Sequence, residues 1–170
     1  MRTFARCETN GMVDPLRSES VYLETNVFIY AVEGLGETAG LAKKLLGYLR
    51  DRPGMAVTSE LTLAEVLAPA QRKEAWPVHV KQRVYLDLLV WNRAVTLLPV
   101  TRDFLIETAK VRIASRMKLP DAIHLVSATR SNCQFLVSGD GDFRFSTLPT
   151  TIKPLRATSD DIERLLRELV

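Results

Sequence analysis

The acidic residues of this 170-residue chain stand where carboxylates can do chemistry. Glu24 follows the short apolar run Val21-Tyr22-Leu23, and Asp140 and Asp142 follow a second run, Phe135 to Ser138. Glu65 is the single charge in Leu61 to Ala70, a segment apolar nearly all round, and Asp121 follows Pro120 at the start of a helical segment. An uncompensated buried carboxylate costs several kcal/mol, and no Lys or Arg stands three or four residues from Glu65. The fold must bring compensation to it, and a divalent cation would supply it. Oxygen donors without a cysteine or histidine cluster suit Mg²⁺ or Mn²⁺ rather than Zn²⁺. Without metal, carboxylates crowded into one pocket should raise one another's pKa.

Each acid also has a plainer account. Asp121 and Glu24 suit the positive end of a helix dipole, and Asp140 and Asp142 alternate with Gly139 and Gly141 as turn residues do. His79 and His124 lack a zinc spacing. His124 stands three residues after Asp121, within reach of a site, although a core or surface histidine is the reading its helix favours. The chain has no Walker-type phosphate loop, Gly-x-Ser-x-Gly elbow or His-Glu-x-x-His pair.

The elements that must position these acids can be traced from periodicity. Short strands are predicted at Val21 to Leu23, Met55 to Thr58, Val95 to Val100 and Phe135 to Ser138, with a weaker one around Ile152. Helices are predicted over Thr25 to Val32, Thr38 to Arg50, and from Ser59 through Ala68. The next opens at Pro77 with Val80, Val84, Leu88 and Trp91 inward; another spans Asp103 to Met117 with Phe104, Ile106, Ala109 and Ile113 apolar. Two more cover Leu119 to Ser131 and Thr158 to Leu169, the last with Thr158 and Asp161 in a capping-box pattern. Strands alternating with helices predict an α/β sandwich with a mainly parallel sheet. In such sheets ligands bind beyond the carboxyl ends of the strands, where the five acids fall.

Composition narrows the classes further. With 46% apolar and 25% charged residues, the chain is expected to be an ordinary globular protein of one domain, residues 21–170, preceded by an extension at 1–20. No run reaches the roughly 18 apolar residues of a membrane helix, and the first residues lack the apolar core of a signal peptide. Two cysteines, Cys7 and Cys133, cannot build a disulfide framework, so a cytoplasmic setting is expected. The net charge of +3 is uneven. Arg72 to Arg130 holds eleven Lys or Arg against five Asp or Glu, which suits either a polyanion-binding face or scattered solvated charge.

The segments Tyr22-Leu-Glu-Thr-Asn-Val-Phe-Ile-Tyr30, Leu-Ala-Glu65-Val, Leu119-Pro-Asp-Ala-Ile-His-Leu125 and Phe135-Leu-Val-Ser-Gly-Asp-Gly-Asp-Phe143 resemble, in order and spacing, the four acidic motifs of PIN domains. They are most similar to those of VapC-type toxins of bacterial toxin–antitoxin pairs, and the likeness runs from about Val21 to Leu155. The resemblance implies a five-stranded parallel α/β/α sandwich, metal-dependent endoribonuclease activity, a homodimer and a cognate antitoxin. Carried onto this chain, it makes Glu24, Glu65, Asp121 and Asp140 the catalytic, Mg²⁺- or Mn²⁺-binding acids, with Asp142 accessory. Asn26 and Ser138 match the small polar residues that hold such acids in place. Arg112, Arg116 and Lys118 lead into Asp121 and suit RNA phosphates; Arg112 and Arg116, four apart, should share a helix face. The first motif usually carries Asp where this chain has Glu24, one methylene longer. The alternative is therefore a catalytically impaired PIN-like module that binds RNA or protein. A phosphatase of the haloacid dehalogenase type is disfavoured, because Glu24-Thr-Asn26 lacks its pair of aspartates.

Overall fold

Alternation along three central strands decides the architecture. In the computed structural model, which describes residues 20–68, 76–141 and 143–170, these are β1 (Val21–Leu23), β2 (Ala56–Ser59) and β4 (Phe135–Ser138), buried along their whole length. The edge strands β3 (Val95–Leu98) and β5 (Lys153–Arg156) are more exposed, and Pro154 lies on such an edge, where a missing N–H is tolerated. All pairings are parallel, in the order β3-β2-β1-β4-β5.

Successive side chains leave opposite faces of a strand. Val21, Leu23, Ala56, Phe135 and Val137 pack against α1 (Thr25–Glu33), α2 (Glu37–Arg50), α4 (Val78–Leu86) and α7 (Ser159–Glu168). Tyr22, Val57 and Leu136 face the other way, against Ala122, Leu125 and Ala128 of α6 (Leu119–Arg130). The helix α5 (Arg102–Ser115) closes that layer through Phe104, which joins Ile123 and Val126. The result is the expected α/β/α sandwich with a five-stranded parallel sheet. The remaining helix, α3 (Leu61–Leu67), follows β2 directly, with Ser59 Oγ accepting from the Leu61 N–H at 3.2 Å. Thr158 caps α7 by accepting from the Asp161 N–H, as its sequence pattern predicts.

Two helices present a different face from the one their apolar spacing suggests. Along α4 and the π-turn Asp87–Trp91 that extends it, Lys81, Tyr85 and Leu89 are inward, while Val80 is 39% and Trp91 57% exposed. The reason is ionic. Lys81 Nζ lies 3.0 Å from Glu33 Oε1 at the end of α1, and Tyr85 donates to the same oxygen at 2.6 Å. In α5 the buried positions are Phe104 and Thr108, whose hydroxyl returns to the Phe104 carbonyl at 2.9 Å, whereas Ile106 and Ile113 point outward. Nor do Arg112 and Arg116 share a helix face, because α5 ends at Ser115 and Arg116 turns into the left-handed region at φ 56°. The fifth strand begins at Lys153, just after the predicted Ile152.

The inward Lys81 gives a direct check. Lys81→Met leaves the Glu33 carboxylate without its cation and should lower unfolding free energy by about 3 kcal/mol in urea titrations. Val80→Ser, one residue away on the apolar spacing, should change it by less than about 0.5 kcal/mol. The opposite ranking would restore the periodicity-based face.

Candidate functional site

The chain lays β2 and β3 on one side of β1 and then returns to place β4 on the other. Helices leaving neighbouring strands in opposite directions open a crevice at this switch, beyond the carboxyl ends of β1 and β4. Glu24 is the first residue after β1, extended at φ −74° and ψ 158° ahead of α1. Its N–H donates to the Val137 carbonyl at 3.0 Å, so the strand pairing itself places it in the crevice. The carboxylate accepts from the Gly139 N–H at 3.3 Å and from Asn26 Nδ2 at 3.5 Å.

Glu65 arrives from the other side, on α3. Its Oε2 accepts from the Thr25 hydroxyl, the first residue of α1. That hydroxyl belongs to a buried run. Thr62 Oγ1 lies 3.2 Å from Thr25 Oγ1 and 2.8 Å from Thr58 Oγ1, and Thr58 donates to the Leu23 carbonyl at 2.7 Å. The run ties the Glu65 side chain to the end of β1. Glu65 is not the buried acid that its apolar surroundings predict: α3 is short and the side chain is 32% exposed.

The third group is His124, which is both a core histidine by burial, at 1% exposed, and a member of the site by contact. Its Nε2 lies 3.4 Å from Glu65 Oε2, 4.0 Å from Glu24 Oε1 and 3.4 Å from Thr25 Oγ1. Nδ1 is 2.7 Å from the Tyr22 hydroxyl. One donor atom each from Glu24, Glu65 and His124 falls within 4.8 Å of the others. Two carboxylates and an imidazole converging at that spacing, one of the acids nearly closed to water, fit a divalent cation.

Asp121 is buried on α6, one helical turn before His124. Asp140 is half-buried two residues past β4, with its N–H donating to Ser138 Oγ at 3.1 Å and its carbonyl accepting from the Arg156 guanidinium. Asp142 lies outside the described residues. Arg112, Arg116 and Lys118 are exposed, and Arg112 Nε donates to the Met117 carbonyl at 3.4 Å. Sequence reasoning undervalued His124 and passed over Tyr22, Thr25 and Arg156. The three-residue offset of His124 from Asp121 was the one available signal.

Electrostatics divides the two glutamates. Burial pushes the Glu24 pKa up, and the nearby Glu65 charge adds to this; His124 and the backbone N–H groups of Asn26 and Gly139 offset only part. Burial acts in the same direction on Glu65, but hydrogen bonds from His124 and Thr25 outweigh it and hold its carboxyl below the usual value. Crowding therefore does not raise both acids, because the imidazole and a hydroxyl serve one of them better.

A sign follows for stability without metal. Raising a carboxyl's pKa in the folded state gives stability that is present below the ordinary value of 4.5 and is lost as pH rises through the folded pKa. In chelator, wild type should lose stability relative to Glu24→Gln as pH climbs above 4.5. Thermal melts of both proteins across pH 4 to 8 check this, and parallel curves would mean that Glu24 is not strained by its burial.

A PIN domain model matches residues 21–145. Among solved structures, a toxin–antitoxin complex from Klebsiella pneumoniae is 22% identical at a TM-score of 0.54, over 78% of this chain and 98% of that one. VapBC2 from Rickettsia felis, bound to a DNA fragment from its promoter, gives 17% identity and a TM-score of 0.56, over 80% and 97%. FitAB bound to an IR36 DNA fragment gives 16% and 0.56, over 81% and 94%. No curated protein matches the sequence. The structural likenesses carry the fold, and the family model spans β1 to β4 with Glu24, Glu65, Asp121 and Asp140: this chain belongs to the PIN domain family, a family of nucleases.

Proposed function

We propose that this protein is a metal-dependent endoribonuclease that hydrolyses RNA phosphodiester bonds as the toxin of a toxin–antitoxin pair. The observation that carries the reading is the convergence of Glu24, Glu65 and His124 at the switch crevice, with Asp121 and Asp140 on the elements that border it. That a similar structure is a toxin–antitoxin complex supports an antitoxin partner. The active unit is a cytoplasmic homodimer, with residues 21–170 as one PIN-like domain and residues 1–20 as an extension.

Glu24, Glu65, Asp121 and Asp140 would hold Mg²⁺ or Mn²⁺, with Asp142 accessory. When bound, the cation acidifies the attacking water and screens charge on the scissile phosphate and leaving oxygen. The protein's own groups do the rest. The Gly139 N–H and Asn26 fix Glu24, Thr25 fixes Glu65, and Ser138 with Arg156 fixes the segment bearing Asp140. A carboxylate oxygen not committed to metal accepts the proton of the attacking water. Arg112, Arg116 and Lys118, exposed beside the start of α6, neutralise phosphates flanking the cleaved bond.

Purified protein incubated with total RNA should produce discrete new 5′ ends with Mg²⁺ or Mn²⁺ and none in chelator. Glu24→Asp should match or exceed wild type, since it restores the shorter ligand, and Glu24→Gln should abolish cleavage. RNA binding of ordinary salt dependence with no cleavage under any metal would instead mark an impaired binding module.

The basic residues make a separate prediction. Arg112→Ala and Arg116→Ala should each flatten the dependence of log affinity on log salt by about 0.7, as expected for one lost contact to single-stranded phosphate. Filter binding of a labelled RNA across salt concentrations measures it. An unchanged slope returns the pair to a solvated surface.

A further inference from the structure

We infer that His124 is a nitrogen ligand of the metal centre, held in the required tautomer by Tyr22 and Ser127, and that it biases the centre toward Mn²⁺ over Mg²⁺. The inference rests on the metal-centre reading above and adds a residue outside the acidic set.

Contacts at both ring nitrogens orient the imidazole. It is buried between sheet and helix, edge-on to the Tyr22 ring with centroids 5.8 Å apart at 63°. Nδ1 points at the Tyr22 hydroxyl, so Nε2 is the nitrogen facing Glu24 and Glu65. Its separations from the two carboxylate oxygens, 3.4 and 4.0 Å, exceed the roughly 3.0 Å between adjacent ligands and stay below the roughly 4.2 Å between opposite ones around an ion with bonds of about 2.1 Å. The nitrogen is thus within reach of an ion held by either carboxylate, and one oxygen of each glutamate lies within 4.8 Å of the other.

To bind metal, Nε2 must present a lone pair, which requires the ring proton on Nδ1 and an acceptor opposite it. The Tyr22 oxygen is that acceptor, provided the phenol's own proton goes elsewhere. A phenol keeps its proton at neutral pH. The hydroxyls of Ser127 and Thr58 both lie beside it; Thr58 is committed to the Leu23 carbonyl, whereas Ser127, fully buried, has no other hydrogen-bond partner among the described residues. Ser127 stands one turn after His124 on α6. A relay from Nδ1–H to Tyr22 and from Tyr22 O–H to Ser127 uses that orphaned oxygen and leaves the Nε2 lone pair directed at the carboxylates. In the metal-free protein Nε2 instead carries the proton that it donates to Glu65, and a cation between the three groups displaces that proton in favour of the Nδ1–H tautomer. Carboxylates suit Mg²⁺ and Mn²⁺ alike, whereas imidazole suits first-row transition ions; of the two, Mn²⁺ is the one that gains from the nitrogen.

The test is pulsed EPR of Mn²⁺ added to the full chain labelled with ¹⁵N-histidine, which detects directly bound nitrogen. Wild type should show a single histidine nitrogen coupling that is lost in His124→Gln and kept in His79→Gln, since His79 is an exposed residue of α4. Tyr22→Phe and Ser127→Ala should weaken Mn²⁺ binding by about tenfold or more, with a smaller effect on Mg²⁺, measured as metal-induced shifts in melting temperature. Bound Mn²⁺ without nitrogen coupling in wild type, which needs no variant to fold, overturns the inference while leaving a carboxylate centre intact. A coupling that survives His124→Gln overturns it equally. Failure to bind Mn²⁺ at all, with no RNA cleavage, overturns this inference and the nuclease reading together.

Discussion

Glu24 carries a carboxylate into the place where a parallel sheet is least able to solvate it, directly after the central strand and at 6% exposure. Much of the surrounding structure makes that placement tolerable. Its backbone N–H continues the β1–β4 pairing, so the residue cannot withdraw without breaking the ladder. The carboxylate then draws on what the neighbouring strand end and α1 provide, an N–H from Gly139 and an amide from Asn26, and on the imidazole opposite. These donors leave its pKa raised. A group that remains unsatisfied by its own fold is one that a cation can stabilise, and the same field that strains the free protein favours the loaded one.

Rigidity at this point comes from short side chains and close backbone. Thr58, Thr62 and Thr25 pass hydroxyl contacts from the Leu23 carbonyl to Glu65, across β2, α3 and α1. Gly139 packs so near α1 that a Cβ there would stand 2.7 Å from the Asn26 Cβ and 2.8 Å from Tyr30 Cε2, which is why its N–H can reach Glu24. Arg156 reaches over from β5 to the carbonyls of Asp140 and Phe143 while its guanidinium lies 4.1 Å over the Phe145 ring. The segment after β4 is thus clamped from the edge strand, and the donors of the site are set by secondary structure rather than by adaptable loops.

The central strands were legible because each is a short apolar run with turn residues or a helix start at its end, and β4 falls at the predicted Phe135 to Ser138. The strand-end rule then located the acids without reference to their contacts. The helices were harder to orient. Apolar spacing favoured Val80 and Trp91 over Lys81, since a lysine reads as surface until its partner Glu33, forty-eight positions earlier, is known to lie opposite. In α5 a threonine satisfied by its own helix displaced isoleucines from the inner face. Composition predicts a buried Glu65 because it cannot show that α3 stops after two turns. His124 was undervalued for a related reason. A histidine inside an apolar helix is ordinary, and its role depends on Tyr22 and Glu65, which only the sheet order brings to it.

The central claim is that the crevice at the switch point is a metal centre built on Glu24. Crystals grown with Mn²⁺ and measured at an energy where manganese scatters anomalously test it in one map. The account predicts a single strong peak between the Glu24 and Glu65 carboxylates and His124 Nε2. A peak elsewhere on the molecule, or none at saturating Mn²⁺ with these side chains placed as described, would contradict it.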